Sequence, residues 1–130
     1  MARDDSVEQA VKHHEKIDYI ELPSAHLVRT RTFFERAFAW RFEMYGPDYM
    51  AFSDQGVDGG FYRADLCSRS ESGCALIVFY SGDLQATRRK IEAAGGVVVK
   101  PVFAFPGGWR FHFTEPGGNE FAVWSDKEPA

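Results

Sequence analysis

The chain has 130 residues, with 15 Lys and Arg residues against 19 Asp and Glu residues and a formal net charge of −4 at pH 7. This length is typical of one domain, and a hydrophobic fraction of 45% is too high for a disordered chain. The acidic balance leaves no basic stripe to neutralise phosphates, so the composition argues against a nucleic-acid partner.

The sequence shows no pattern typical of disulfide scaffolds or membrane proteins. Cys67 and Cys74 lie seven residues apart in a polar stretch, which favours neither a disulfide framework nor a zinc knuckle. No apolar run approaches the ~20 residues that span a bilayer, and residues 1–16 lack the apolar core of a signal peptide. We therefore expect a cytoplasmic protein without a membrane partner.

Residues 1–16 are predicted to form a polar arm or a short helix. Ser6 and Gln9 match a capping box, which favours the helix. The adjacent His13 and His14 would point to different sides of that helix, so they are poorly placed to share a metal ion. We expect both imidazoles to be solvated and the remaining residues, 17–130, to form one domain.

The first half of this domain has the pattern of a strand, a helix and three strands. Residues 17–22 alternate polar and apolar side chains, as in a half-buried strand, and end at Pro23. Apolar side chains then recur at helical spacing from Ser24 to Ala39. Turn-forming residues separate three further predicted strands, at 40–44, 49–53 and 60–63.

The second half repeats this order of elements. An apolar strand over 74–80 precedes a helix that starts at Asp83 and stops at Gly95-Gly96. Three more strands are predicted at 97–102, 109–114 and 120–124.

An internal repeat therefore relates the two halves, with repeat one at 17–63, a polar linker at 64–73 and repeat two at 74–125. We expect the linker to be exposed. Each β-α-β-β-β unit is too small to bury its own sheet, so the two units must pack together. A shift of 57 residues pairs Ser24 with Ser81, Leu27 with Leu84, Thr30 with Thr87 and Glu35 with Glu92, and a shift of 61 pairs Ser53-Asp54 with Thr114-Glu115.

The repeat resembles the vicinal oxygen chelate superfamily, which includes glyoxalase I, bleomycin-resistance proteins and extradiol dioxygenases. The resemblance implies an α+β fold in which two β-α-β-β-β repeats form cupped mixed sheets around a ligand cavity, with helices on the convex face. The segments that carry it are Ile20-Glu21-Leu22-Pro23, Arg31-Thr32-Phe33-Phe34-Glu35, Ile91-Glu92-Ala93-Ala94-Gly95-Gly96 and Thr114-Glu115-Pro116-Gly117-Gly118-Asn119.

Strand alternation within such a fold predicts which side chains line the cavity. Side chains next to core-facing residues in each strand point away from the helices. The predicted ligand-binding residues are Tyr19, Glu21, Leu76, Val78, Tyr80, Arg110, His112, Glu120 and Trp124, with Ala122 beside them.

Enzymes of this superfamily usually hold a divalent ion through the first and last strands of each unit. The matching positions here are Tyr19, Phe61 (with Gly60 as the neighbouring choice), Leu76 and Ala122. Leucine and alanine offer no lone pair, whereas such metal sites need nitrogen or oxygen donors, so we predict no metal cofactor. An unorthodox site formed by Glu21, His112 and Glu120 is the alternative.

The predicted cavity residues suggest both binding and catalytic chemistry. Tyr19, Tyr80 and Trp124 would supply aromatic walls, and Arg110 would hold a carboxylate or a phosphate. Glu21 as a general base with His112 as its partner is the predicted catalytic pair. Structural roles are the alternative for each: Glu21 paired with Arg110, Tyr19 filling space, and His112 held by hydrogen bonds.

Our leading hypothesis is a protein that binds a small organic molecule in an aromatic cavity, closer in kind to bleomycin-resistance proteins than to glyoxalase I. One alternative is a divergent glyoxalase-like lyase or isomerase that uses Glu21 and His112 or displaced metal ligands. A second alternative is a non-catalytic interaction module, because a shared fold hosts unrelated functions. The resemblance also implies a homodimer.

Overall fold

The computed structural model describes residues 12–130, which form two four-stranded sheets, two α-helices and a short 3-10 helix at Ser70–Ser72. The predicted capping box at Ser6 and Gln9 lies outside the described residues. No helix in this part of the chain is long and apolar enough to cross a membrane. The elements are β1 (Tyr19–Ser24), α1 (Leu27–Phe38), β2 (Phe42–Met44), β3 (Tyr49–Phe52), β4 (Asp58–Arg63), β5 (Ile77–Tyr80), α2 (Leu84–Ala93), β6 (Val97–Phe105), β7 (Gly108–Thr114) and β8 (Glu120–Ser125).

The two sheets have the same topology, which confirms the predicted α+β fold of two repeats. The strand order is β1-β4-β3-β2 in the first sheet and β5-β8-β7-β6 in the second sheet. In each sheet the first strand of the unit runs parallel to the last, and the other neighbours are antiparallel.

β1 and β6 extend past their predicted ends, and both contain a proline. β1 continues through Pro23 to Ser24, and β6 continues past Pro101 to Phe105. Both are edge strands, where the missing N–H of proline is tolerated. The pairing of β6 also shifts in register between Lys100 and Phe103, which interrupts the simple alternation of its side chains.

Aromatic side chains pack the first helix against both sheets. The ring of Phe34 on α1 lies 5.7 Å from that of Phe61 on β4 and 5.4 Å from that of Phe121 on β8. Phe38 stacks on Phe79 of β5 at 4.9 Å. The first helix therefore contacts both sheets, and each sheet turns its other face away from the helices.

Both repeats form the same side-chain hydrogen bond at the start of their helix. The hydroxyls of Ser24 and Thr30 are 2.7 Å apart, and those of their repeat partners Ser81 and Thr87 are also 2.7 Å apart. Asp83 then caps α2 by accepting from the backbone N–H of Ala86. His26, at the same position before α1, makes no capping bond and is exposed, as expected of a surface imidazole.

A buried carboxylate connects the second repeat to the first helix. Glu115 is 2% exposed and accepts hydrogen bonds from Thr30 Oγ1 at 2.9 Å, from Asn119 Nδ2 at 2.8 Å and from the backbone N–H of Gly117. We call Ser24, Thr30, Glu115, Gly117 and Asn119 the Glu115 cluster. Burial raises the pKa of Glu115 by more than these hydrogen bonds lower it.

The Glu115 cluster also holds the linker between the repeats. Asn119 donates to the carbonyl of Pro23 at 2.7 Å and accepts from the backbone N–H of Ser68 at 2.8 Å. Most linker side chains are exposed as predicted, but Ser68 and Arg69 are half-buried. The linker is therefore attached to the second sheet near the start of β8.

Glu115→Gln should lower the free energy of unfolding by about 1–3 kcal/mol, because one amide N–H₂ group must face a hydrogen-bond donor in either orientation. Asp54→Asn, the same change at the exposed repeat partner, should alter it by less than about 0.5 kcal/mol. Urea unfolding of both variants measures the difference, and equal effects would contradict the role of the Glu115 cluster.

Candidate functional site

The face of each sheet that points away from the helices, here called its open face, carries the predicted site residues. On the first sheet, Glu21 and Tyr19 alternate with the core-facing Ile20 and Leu22. On the second sheet, the buried Phe111 alternates with Arg110 and His112.

Three side chains form a hydrogen-bonded chain on the open face of the first sheet. The Tyr49 hydroxyl donates to Glu21 Oε2 at 2.9 Å. Its distance to the Tyr19 hydroxyl is 2.6 Å, and because the single Tyr49 proton is used on Glu21, Tyr19 is the donor. Burial and the hydrogen bond that Tyr49 donates to Glu21 raise the pKa of Tyr49, so it stays protonated.

Tyr49 was not among the predicted site residues, although the alternation of side chains along its strand indicates that it lies on the open face. Met50 and Phe52 face the core, so the alternation of β3 places Tyr49 and Ala51 on the open face. Gly60 on β4 makes room for the phenol, because a Cβ atom at that position would overlap the Tyr49 hydroxyl.

The open face of the second sheet carries a different chain, formed by Arg110, His112 and Glu120. His112 Nδ1 lies 2.8 Å from Glu120 Oε2, and Arg110 Nε and Nη2 lie 3.2 and 3.0 Å from His112 Nε2. A guanidinium only donates, so the hydrogen-bond network assigns Nε2 as the acceptor and puts the ring proton on Nδ1. His112 is then a neutral imidazole that links a cation to a carboxylate.

The linker holds the far end of this chain. Ser70 donates to Glu120 Oε1 from both its backbone N–H and its hydroxyl, each at 2.8 Å. Burial raises the pKa of Glu120, but the hydrogen bonds from His112 and Ser70 outweigh it and hold the pKa at about 2. No sequence pattern pointed to Ser70, because its contact with β8 depends on the path of an irregular linker.

Aromatic rings surround Arg110. The guanidinium carbon lies 5.9 Å from the ring centroid of Phe103 and 5.7 Å from that of Phe105, within reach of cation–π attraction. Trp124 lies 5.2 Å from the ring of Tyr80. Phe103 and Phe105 escaped prediction because they lie in the part of β6 beyond residue 102. A cavity of about 260 Å³ here is lined by Val78, Phe105, Gly107, Arg110 and Trp124.

Within one chain no single cavity holds all the predicted site residues. Val78 and Tyr80 line a cavity of about 470 Å³ together with the core-facing Ile20 and Leu22 of the first sheet. Tyr19 lines a cavity of about 630 Å³ on the first sheet, together with Glu43, Tyr49 and Asp58. This cavity shares no lining residue with the one at Arg110. The two halves of the predicted site are therefore on separate faces of one chain.

This division bears on two of the alternatives that the sequence left open. Glu21 is bonded to Tyr49 and Arg110 to His112, so the alternative Glu21–Arg110 pair is not formed within this chain. Residues 12–130 contain no group of three His, Cys, Asp or Glu side chains able to hold a metal ion, so Glu21 does not join His112 and Glu120 in such a site within this chain.

The structure also shows which residues occupy the positions of the superfamily's metal ligands. Phe61, the expected position on β4, is fully buried in the core, and Gly60 is the residue on the open face. This correction follows from the register of β4, in which Gly60 lies beside Glu21 and Phe61 beside Leu22. With Tyr19, Leu76 and Ala122 at the other positions, the donor set does not fit a divalent metal.

The comparisons with known proteins agree with this architecture. Residues 16–123 match the Glyoxalase/Bleomycin resistance protein/Dioxygenase superfamily, and the chain belongs to that superfamily. No protein of curated function matches the chain.

Several solved structures share the fold. A glyoxalase-related enzyme from Fulvimarina pelagi is 18% identical, with a TM-score of 0.67 over 85% of this chain and 88% of the other. TioX from Micromonospora sp. ML1 is 16% identical, with a TM-score of 0.66 over 86% and 99%. Lactoylglutathione lyase from Agrobacterium tumefaciens is 18% identical, with a TM-score of 0.64 over 85% and 93%.

The low pKa of Glu120 predicts acid-sensitive stability. The carboxyl has an ordinary pKa of 4.5 when unfolded and about 2 when folded, so its contribution is complete above pH 4.5 and is lost as the pH falls towards 2. Glu120→Gln should therefore be less stable than the wild type at pH 6.5, by up to about 3 kcal/mol, and the gap should narrow below pH 4.5.

Urea unfolding across this pH range measures the gap. Glu71→Gln, which changes an exposed carboxyl in the linker, is the control and should follow the wild type. A gap between wild type and Glu120→Gln that is constant from pH 6.5 to 3 would contradict the assignment.

Proposed function

We propose that the protein binds a small organic molecule in an aromatic cavity formed by two protomers, without a metal cofactor. The observation that carries this proposal is the pair of open faces, each with a hydrogen-bonded polar chain beside exposed aromatic rings. Tyr19 is 41% exposed on the first sheet and Tyr80 is 52% exposed on the second. Two faces of this kind are expected to meet a partner surface or a ligand.

The charges of the open faces support a homodimer. The first sheet presents Glu21, Glu43 and Asp58 against one cation, Arg41, so acidic groups are in excess there. The second sheet presents Arg110 and Lys100, and its one carboxylate beside them, Glu120, is buried. In a two-fold dimer the first sheet of one protomer would face the second sheet of its partner, so that opposite charges meet twice. Each cavity would then have a tyrosine wall and an arginine wall.

The chemistry of the donor positions supports binding without a metal. Tyr19, Gly60, Leu76 and Ala122 stand where the superfamily has its ligands, and three of the four offer no donor atom in their side chains. Both cysteines are free, in keeping with the cytoplasmic location that we include in the proposal.

The enzymatic alternative is less well supported. A lyase or isomerase using Glu21 as the base would need His112 beside it, yet these side chains occupy different sheets and each has another partner. They would meet only across a dimer. A non-catalytic interaction module would keep the dimer but bind no small molecule.

Val78→Glu should weaken the dimer at least ~10-fold, because it places a carboxylate in the open face of the second sheet beside the acidic partner face. Val28→Glu is the matched control, since Val28 is 76% exposed on α1 and lies outside both open faces. Analytical ultracentrifugation of the two variants measures the effect. A monomeric wild type, or a Val78→Glu dimer as strong as the control, would overturn the shared cavity.

Protein purified without chelators should contain no stoichiometric transition metal. Elemental analysis checks this directly, and a thermal-shift screen of aromatic compounds should raise the Tm equally with and without EDTA. A full equivalent of zinc, nickel, manganese or iron would contradict the proposal, and a screen without any stabilising compound would favour the interaction module.

A further inference from the structure

We infer that Arg110 is the carboxylate receptor of this cavity and that the ligand is a flat aromatic carboxylate. This inference rests on the proposed function and specifies the ligand's chemical class. It is carried by the hydrogen bonds of the guanidinium, by the absence of a competing anion and by the rings around it.

The guanidinium is held along one edge only. Nε and Nη2 both point at His112 Nε2, which leaves Nη1 and the second N–H of Nη2 available. Among residues 12–130, no carboxylate lies within 4 Å of Arg110. The remaining edge has the two parallel N–H groups that bind a carboxylate in bidentate fashion.

His112 holds Arg110 without neutralising it. A carboxylate in direct contact would cancel the positive charge, whereas a neutral imidazole accepts the hydrogen bonds and leaves the charge for a ligand. Glu120 is the next member of this hydrogen-bonded chain, and by accepting from Nδ1 it keeps the ring proton of His112 on that atom. His112 and Glu120 are 7% and 8% exposed, so the arrangement is rigid and shielded. We assign both as positioning residues for Arg110.

The surroundings of Arg110 suit an aromatic ring. Phe105, Trp124 and Val78 line the cavity of about 260 Å³ next to the guanidinium. A cavity of about 150 Å³ already accommodates benzene, so this one has room for one or two fused rings. Among the described residues that line this cavity Arg110 is the one cation, and its single charge matches that of a carboxylate better than the double charge of a phosphate.

The test compares three probes by isothermal titration calorimetry: 2-naphthoate, its neutral analogue 2-naphthamide, and 2-naphthyl phosphate. Wild-type protein should bind the naphthoate at least ~10-fold more tightly than the amide. Arg110→Gln should bring the naphthoate affinity down to that of the amide and leave the amide affinity within about 3-fold. Arg89→Gln, on the exposed surface of α2, should behave as the wild type.

The positioning role of His112 is tested by the ratio of the naphthoate and amide affinities, which a general loss of folding would not change. His112→Gln keeps an oxygen that can accept from Arg110 and should preserve most of the ratio. His112→Leu should reduce it at least ~5-fold. Equal ratios in the two variants would overturn the assignment.

The outcomes separate this inference from the proposed function. If naphthoate and amide bind equally well and Arg110→Gln changes neither affinity, the aromatic cavity stands and the carboxylate receptor is wrong. Tighter binding of naphthyl phosphate than of naphthoate would also overturn the carboxylate assignment. If the wild type binds none of the three probes, the aromatic cavity itself is wrong, and the inference fails with it.

Discussion

The buried carboxylate of Glu115 is the constraint on which the arrangement of the two repeats depends. A carboxylate that is 2% exposed must be fully hydrogen-bonded, because an unpaired one would cost several kcal/mol. One of its donors, Thr30, belongs to the other repeat, so satisfying Glu115 requires α1 to lie against the second repeat. This contact holds α1 against the second repeat, and the open face of each sheet points away from the helices.

The same cluster is connected to the candidate site. Asn119 accepts from Ser68, and two residues later Ser70 donates to Glu120, which holds His112 and through it Arg110. The packing of the repeats and the orientation of the guanidinium therefore share one hydrogen-bonded path. A change in the linker would reach Arg110 without touching the aromatic core.

The sequence predicted most of the fold because the information is local and repeated. The pairs Ser24–Thr30 and Ser81–Thr87 recur at one spacing and form the same hydrogen bond, and strand alternation placed Tyr19, Val78 and Arg110 on the correct faces. The alternation of side chains in a strand predicts which of them share a face of the sheet. It does not predict which face packs against the other repeat. The sequence therefore could not predict that the site residues are divided among separate cavities. Nor could it predict the linker contacts or the side chains after the register shift in β6.

The two sheets share one strand order, but their open faces carry unlike chemistry. Tyr49 and Arg110 occupy equivalent positions under the 61-residue shift, yet one ends in a phenol bonded to a carboxylate and the other in a guanidinium bonded to an imidazole. A cavity enclosed by two identical repeats would accept a molecule in either of two reversed poses. With one wall from each repeat, the proposed cavity has an acidic, tyrosine-lined side and a basic, arginine-lined side. A molecule bound in either cavity would then have one orientation, even though the dimer around it is symmetric.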